Sequence, residues 1–301
     1  MRGGKLTARR NRAGYFYVAP FLVGFALFML LPIVQSVVFS VNEVKLQSGG
    51  YTLTPVGLYN YIKAFTIDPE YRVILFGSLS QMLIDLPFIL VFSLFSAILL
   101  AQQFRGRTLA RVLFFLPVIV STGVIATMEN TNIVYAMMMN RSVASASDGL
   151  KERTTAMAFV LNLLGSNLPG FLISFLSNVI ARLYDIITAS GLQILIFLSG
   201  LHTISPALYE ASNMEGATAW ENFWKITFPM LGPYILLNLV YTIIDSLTNM
   251  RNQVVSLIRG YVVSFSDFGY GLAISWIYFL ILLILLALVL LTVGRKVFYH
   301  E

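Results

Sequence analysis

Between Arg12 and Glu43 the chain carries no charged residue, and between Asp267 and Arg295 it again carries none. Uncharged runs of this length suit a bilayer core about 30 Å thick, which takes about 20 apolar residues to cross as a helix. Lipid offers the backbone no hydrogen bonds, so a spanning segment must be a helix or part of a closed barrel. The apolar residues run continuously rather than alternating, which selects helices. Composition agrees. Of 301 residues, 57% are hydrophobic and 11% charged, with a mean hydropathy of +0.79. A soluble domain carries about 25% charged residues, and a surface as poor in charge as this one cannot be kept in water.

Several kinds of chemistry are excluded early. There is no cysteine, hence no disulfide framework, thiolate metal site or thiol nucleophile. The only histidines are His202 and His300, too few and too far apart for a histidine metal site. The net charge of +6 does not point to nucleic acid, because the basic residues stand beside the hydrophobic runs, where membrane topology places them.

Six spans are predicted, at roughly 15–40, 73–101, 112–138, 172–201, 233–250 and 272–294. The first has the basic start of a signal peptide but is too long for one, so it reads as an uncleaved helix. With the N-terminus in the cytoplasm, Arg2, Lys5, Arg9, Arg10 and Arg12, then Arg105, Arg107 and Arg111, fall on the inner side close to spans. That placement sets the orientation, with both termini inside. The longest outer connections are then 41–71 and 139–170, and the whole chain, 1–301, reads as one domain.

Between the fourth and fifth spans, on the predicted cytoplasmic side, lies the segment about 202–232. Ser205 and Pro206 form a helix start, and Glu215-Gly216 breaks that helix after about three turns. Ala217, Trp220, Phe223 and Trp224 then fall near one face of a second short helix. An amphipathic helix lying in the headgroup layer would explain the aromatics. It would not explain Glu210, Glu215 and Glu221, which an anionic inner leaflet repels. A capped acidic knob is better suited to a protein partner.

This segment resembles the EAA loop of ABC importer permeases: Glu-Ala-Ala, three residues, Gly, nine residues, Ile, one residue, Leu-Pro. Here the pattern is Glu210, Ala211, Ser212, then Gly216, then Ile226, Phe228 and Pro229, with every spacing kept. Ser212 replaces Ala, Phe228 replaces Leu, and Glu215 stands where sugar permeases usually have Asp before the Gly216-Ala217 pair. Ala19-Pro20-Phe21, Leu31-Pro32-Ile33, Gly57-Leu58-Tyr59-Asn60-Tyr61, Asp68-Pro69-Glu70-Tyr71, Phe115-Leu116-Pro117 and Gly269-Tyr270-Gly271-Leu272-Ala273 are similar to the first permease of sugar importers. The Gly-Gly-Pro element often found in the outer loop at 250–265 is missing.

The resemblance implies an all-α membrane protein with the type I ABC importer permease fold in a prokaryotic plasma membrane. It implies a second, different permease chain, two ATPase subunits that bind ATP and Mg, an external solute-binding protein and a sugar substrate. Glu210, Ala211, Ser212, Glu215, Gly216 and Ala217 would form the ATPase-coupling element, with Glu210 and Gly216 mattering most. The chain itself has no phosphate-binding loop: its only Gly-Lys pair is Gly4-Lys5, followed by Leu6. No cofactor is therefore expected in this chain.

Asp85, Glu129, Arg182, Asp185 and Asp245 fall within predicted spans, where a charge at the bilayer centre costs about 2.5–3.5 kcal/mol. Asp245 is flanked by Tyr241, Thr242, Ser246 and Asn249, a set of carboxylate, aromatic, hydroxyl and amide groups suited to a sugar. With Asp185 of the fourth span they form the expected substrate pathway. Arg182 and Asp185 are also spaced for an i, i+3 ion pair, and Asp85 and Glu129 for hydrogen bonds between helices. The competing reading from another class is a self-contained, ion-coupled secondary transporter. It would use Asp85, Glu129 or Asp245 as proton or cation sites and predicts inverted repeats and broken helices.

Overall fold

The computed structural model describes residues 17–47, 50–102, 106, 109, 112, 179, 180, 182, 183, 185–263 and 267–296. Glu129, the segment 139–170, and the predicted third span apart from residue 112 lie outside the described residues, as does the first part of the fourth span. Among the described residues three helices are long and apolar enough to cross a membrane, α1 (Tyr17–Ser40), α3 (Pro69–Ala101) and α9 (Phe268–Thr292). Two further pairs qualify as bent units: α4 (Gly191–Thr203) with α5 (Pro206–Met214), bent by 63°, and α6 (Ala219–Met230) with α7 (Gly232–Thr248), bent by 64°. The predicted first, second, fifth and sixth spans thus appear within a few residues of their expected limits. Residues 185–189 are helical, and backbone bonds from Ser190 N to Ile186 O and from Ile194 N to Ser190 O, each 2.9 Å, carry the helix into α4.

Among the described residues two helices contain a π-helical turn, Ala26–Leu30 in α1 and Phe223–Thr227 in α6. Each lies just before a proline, Pro32 and Pro229. Proline has no N–H and crowds the preceding turn. The local answer is a wider turn, with Leu31 N–H bonding Ala26 O and Phe228 N–H bonding Phe223 O.

The segment 41–71 is not the plain connection that an all-α reading implies. It folds into an antiparallel hairpin, β1 (Asn42–Gln47) paired with β2 (Gly50–Pro55) from Asn42↔Pro55 to Gln47↔Gly50, and a short helix α2 (Tyr59–Thr66). Helix α8 (Gln253–Val263) occupies much of the predicted outer loop 250–265.

The chain divides into two compact units, residues 1–76 with 253–281, and residues 77–252 with 282–301. The first is held by polar bonds that tie its short elements to helix starts. Asp68 precedes α3 and accepts from Tyr71 N at 3.1 Å, while its other oxygen accepts from Tyr270 Oη at 2.6 Å. Asp267 plays the matching part before α9, accepting from Tyr270 N at 3.3 Å and pairing with Lys63 Nζ at 2.5 Å. Lys63 also lies 4.3 Å from the centre of the Tyr270 ring, a cation–π contact. Asn60, buried, donates to Ser40 O at 2.9 Å and so fixes the end of α1 against α2. Gly269 leaves no room for a side chain, because a Cβ there would strike the Asn42 carbonyl oxygen.

In the second unit α4 and α7 pack antiparallel, with Gly200 facing Tyr234 and Gln193 facing Thr242. A Cβ at Gly200 would lie 2.6 Å from the Tyr234 ring, so the absence of a side chain sets how closely the helices approach. Ala97 and Leu100 of α3 join Ile194, Phe197 and Leu198 of α4 in one apolar cluster.

Replacing Gly269 by Ala forces the α9 start away from the hairpin and is expected to cost about 1–3 kcal/mol, the usual range for overpacking. Gly77→Ala, where nothing lies within 4 Å of the added Cβ, serves as control. Thermal unfolding in detergent should show a lowered midpoint for Gly269→Ala alone. Equal midpoints would contradict the close approach.

Candidate functional site

The segment predicted to carry the function forms a helix–turn–helix, α5 followed by α6. Ser205 takes the N-cap position with Pro206 at the first turn, as its sequence suggests, but the Ser205 hydroxyl makes no capping bond. The backbone carbonyl accepts from Leu208 N at 3.1 Å instead. At the other end Gly216 adopts φ +82°, the left-handed region that favours glycine. Gly216 N bonds Asn213 O at 3.1 Å and Ala217 N bonds Ser212 O at 3.0 Å. This pair of bonds is the Schellman helix stop. Space does not demand the glycine, since nothing lies within 4 Å of a Cβ there; backbone conformation does.

The second helix starts on a complete capping box. Thr218 Oγ1 accepts from Glu221 N at 3.3 Å, and Glu221 Oε2 accepts from Thr218 N at 3.0 Å. The backbone N–H and then the hydroxyl of Thr218, with Lys225 further along, hold the Glu221 carboxyl below its ordinary pKa. Its contribution is therefore present above the ordinary carboxylate range and is lost as pH falls through the lowered value.

Three side-chain bonds clamp the helices together. Ser212 Oγ donates to Asn222 Oδ1, Asn222 Nδ2 donates to Asn213 Oδ1 at 2.9 Å, and Tyr209 Oη pairs with Thr227 Oγ1 at 2.9 Å. Ser212, the residue that departs from the Ala of the EAA pattern, thus makes a bond that alanine lacks. Glu210, Ala211, Glu215 and Gly216 are exposed, while Ser212 and Ala217 are half-buried. Beside them Trp220, Phe223, Trp224 and Phe228 form a connected aromatic cluster, with Trp224 and Phe228 ring centres 5.1 Å apart. Thr218, Tyr209, Asn213, Asn222 and Thr227 were not singled out from the sequence. Only the Thr-x-x-Glu capping pattern could have been found there.

The residues expected along the pathway lie on α7 and on the helical stretch before α4. Tyr241, Asp245 and Ser246 are half-buried, and Asn249 and Asp185 are exposed. Tyr241 and Asp245 stack one turn apart, and Asn249 is the C-cap of α7. Its Oδ1 accepts from Arg251 N at 3.0 Å, closing an Asx turn, so Asn249 also shapes the chain's exit from the helix. Arg182, spaced for a pair with Asp185, donates to Gln81 Oε1 of α3 at 3.1 Å. Asn252, also missed in the sequence, donates to Ser78 Oγ at 2.7 Å and to Ser246 O at 3.0 Å.

The chain has the fold of ABC transporter permeases. A chain of a bacterial alginate ABC transporter, solved in complex with an alginate pentasaccharide-bound periplasmic protein, covers 100% of this chain and of its own length at a TM-score of 0.68 and 16% identity. The chain is 26% identical over 310 residues to the trehalose/maltose transport system permease protein MalF of Thermococcus litoralis, covering 97% of this chain and 96% of that one. It is 29% identical to the probable ABC transporter permease protein YesP of Bacillus subtilis over 82% of this chain and 74% of the relative. The arabinooligosaccharides transport system permease protein AraP of Halalkalibacterium halodurans is 24% identical over 90% of this chain and 84% of its own. No family model matches. The chain therefore resembles the permeases of sugar ABC transporters along nearly its whole length.

Thr218→Ala removes the capping acceptor. Such a loss costs about 1 kcal/mol, so amide exchange at Glu221 should quicken about fivefold, with Ala211 in α5 unaffected. Unchanged exchange at Glu221 would show that the box does not hold the helix start.

Proposed function

We propose that this chain is the membrane-spanning permease subunit of an ATP-driven importer and forms half of the pathway for a sugar or oligosaccharide. The single observation that carries the reading is the α5–α6 knob. Its EAA spacing is complete, its glycine serves as a helix stop, and its exposed face is acidic, on a chain with the permease fold. A short, internally clamped knob suits transmission of force, because it moves as a unit with α4 and α7 on either side.

In this reading the knob lies in the cytoplasm and seats in a groove on an ATPase subunit, with Glu210 facing basic or polar groups there. Both termini are cytoplasmic, and the chain acts as one permease domain in a prokaryotic plasma membrane. ATP and Mg belong to two ATPase subunits, and this chain hydrolyses nothing. A second permease completes the pathway, and an external solute-binding protein delivers the sugar. The polar set on α7, with Asp185, lines the path. Carboxylates and amides accept from and donate to hydroxyls, and Tyr241 offers an aromatic face to a sugar ring.

Gly216→Asp places a side chain at φ +82° and is expected to leave the protein in the membrane while uptake falls about tenfold or more, equivalent to at least ~1.4 kcal/mol of lost coupling. An undisturbed uptake rate would remove the coupling role. Asp245→Ala should lower uptake while the complex still assembles. Failure to assemble would make Asp245 structural instead.

A further inference from the structure

Helix α6 presents two unlike faces. Asn222, half-buried, and Thr227, buried, turn towards α5 and bond Ser212, Asn213 and Tyr209 there. Away from α5, Trp220, Trp224 and Phe228 recur every four residues and are 70%, 46% and 38% exposed. Their rings touch in series, with Trp220 and Trp224 centres 5.6 Å apart and Trp224 and Phe228 centres 5.1 Å apart. A contiguous exposed apolar patch marks a contact surface. Among the described residues neither indole N–H has a hydrogen-bond partner, so both remain free to donate.

The backbone sets the depth of this stripe. Helices α6 and α7 together are apolar and long enough to cross a membrane, but they are bent by 64° between Met230 and Gly232. The 17 residues of α7 are about 26 Å long at 1.5 Å per residue, a little less than a hydrocarbon core of about 30 Å. Centred in the bilayer along its normal, α7 starts just inside the edge of the core, and α6 leaves it at 64°. Counted from Leu231 at about 1.5 Å per residue, Phe228, Trp224 and Trp220 then lie about 2, 5 and 7 Å further along the normal. A headgroup layer is about 5–7 Å thick on each side. The stripe spans that layer, whichever side of the membrane this end of α7 faces.

Charge separates the two faces further. The charged residues of α6 are Glu221 and Lys225, which pair at 3.4 Å and cancel. The exposed carboxylates Glu210 and Glu215 belong to α5 and its C-cap. Tryptophan is enriched where bilayer meets water, with its ring against apolar groups and its N–H against polar ones.

We propose that the Trp220–Trp224–Phe228 stripe is a lipid-binding surface, seated among the headgroups of the membrane that α7 crosses and indifferent to their charge. The proposal goes beyond the importer reading and does not depend on it. Seated this way, α6 rests on the bilayer and keeps Glu210 and Glu215 of the knob in water.

The test needs no substitution. The chain, purified with its bound partners and reconstituted in phosphatidylcholine nanodiscs, is irradiated with one of two photoactivatable phosphatidylcholines. One carries its diazirine beside the glycerol, the other at the methyl end of the acyl chain, and adducts are located by mass on this chain. Residues 219–230 should take up the shallow probe at least fivefold more than the deep probe, and at least fivefold more than residues 206–214 do. Replacing a third of the lipid by phosphatidylglycerol should change that uptake less than twofold. Absence of adducts on 219–230, or adducts only after partner proteins are stripped away, overturns the proposal and makes the stripe a protein contact. Equal labelling of α5 and α6, or uptake that requires phosphatidylglycerol, overturns it as well. Strong shallow labelling of 219–230 in a chain that carries no ATPase subunit would uphold the lipid seat and remove the importer reading.

Discussion

The contact between α4 and α7 governs what the rest of the second unit can do. Gly200 lets Tyr234 and Leu231 close onto α4, and two turns further along a buried polar ladder takes over. Gln193 donates to Thr242 at 3.2 Å, and Asn238 donates to the Gln193 carbonyl at 3.3 Å. All three polar residues are at most 2% exposed. Apolar side chains gain little by associating in lipid, so close packing and interhelical hydrogen bonds do most of the work there. A slip of one helix along the other would break these bonds in a medium that offers no replacement. The two helices that flank the α5–α6 knob are thereby locked in register.

That lock ties the knob to the polar face of α7. The Schellman stop at Gly216, the capping box at Thr218 and the Ser212–Asn222–Asn213 bonds fix α5 against α6. The bend into α7 falls at Leu231, between Met230 and the Gly232-Pro233 start of α7. In the proposed reading, a displacement of the knob by an ATPase would pass through these short, well-bonded segments towards Tyr241 and Asp245.

Much of this was legible in the sequence for physical reasons. Lipid imposes a length and a composition on spans, so α1, α3, α7 and α9 stood out as uncharged or nearly uncharged runs. A glycine following a capped helix of three turns is a strong stop signal, and Gly216 behaves as one. The hairpin was not read, because its strands are six residues each and lie in a polar segment where periodicity is weak. Its Ser48-Gly49-Gly50 turn signal was the available clue. The same holds for α8, too short to register as a span. Arg182 illustrates the remaining limit. Sequence spacing favoured the near neighbour Asp185, whereas the contact that forms is with Gln81, some hundred residues away along the chain. Local rules rank local partners, and the packing of helices distant in sequence decides otherwise.

The acidic knob is proposed to meet an ATPase. The direct measurement is a gentle detergent pull-down of the tagged chain from its native membrane, with co-purifying proteins identified by mass. Recovery of an ATPase subunit together with a second permease is the predicted result. A chain that came down alone, intact and repeatedly, would contradict the account and return its membrane carboxylates to consideration as ion-coupling sites.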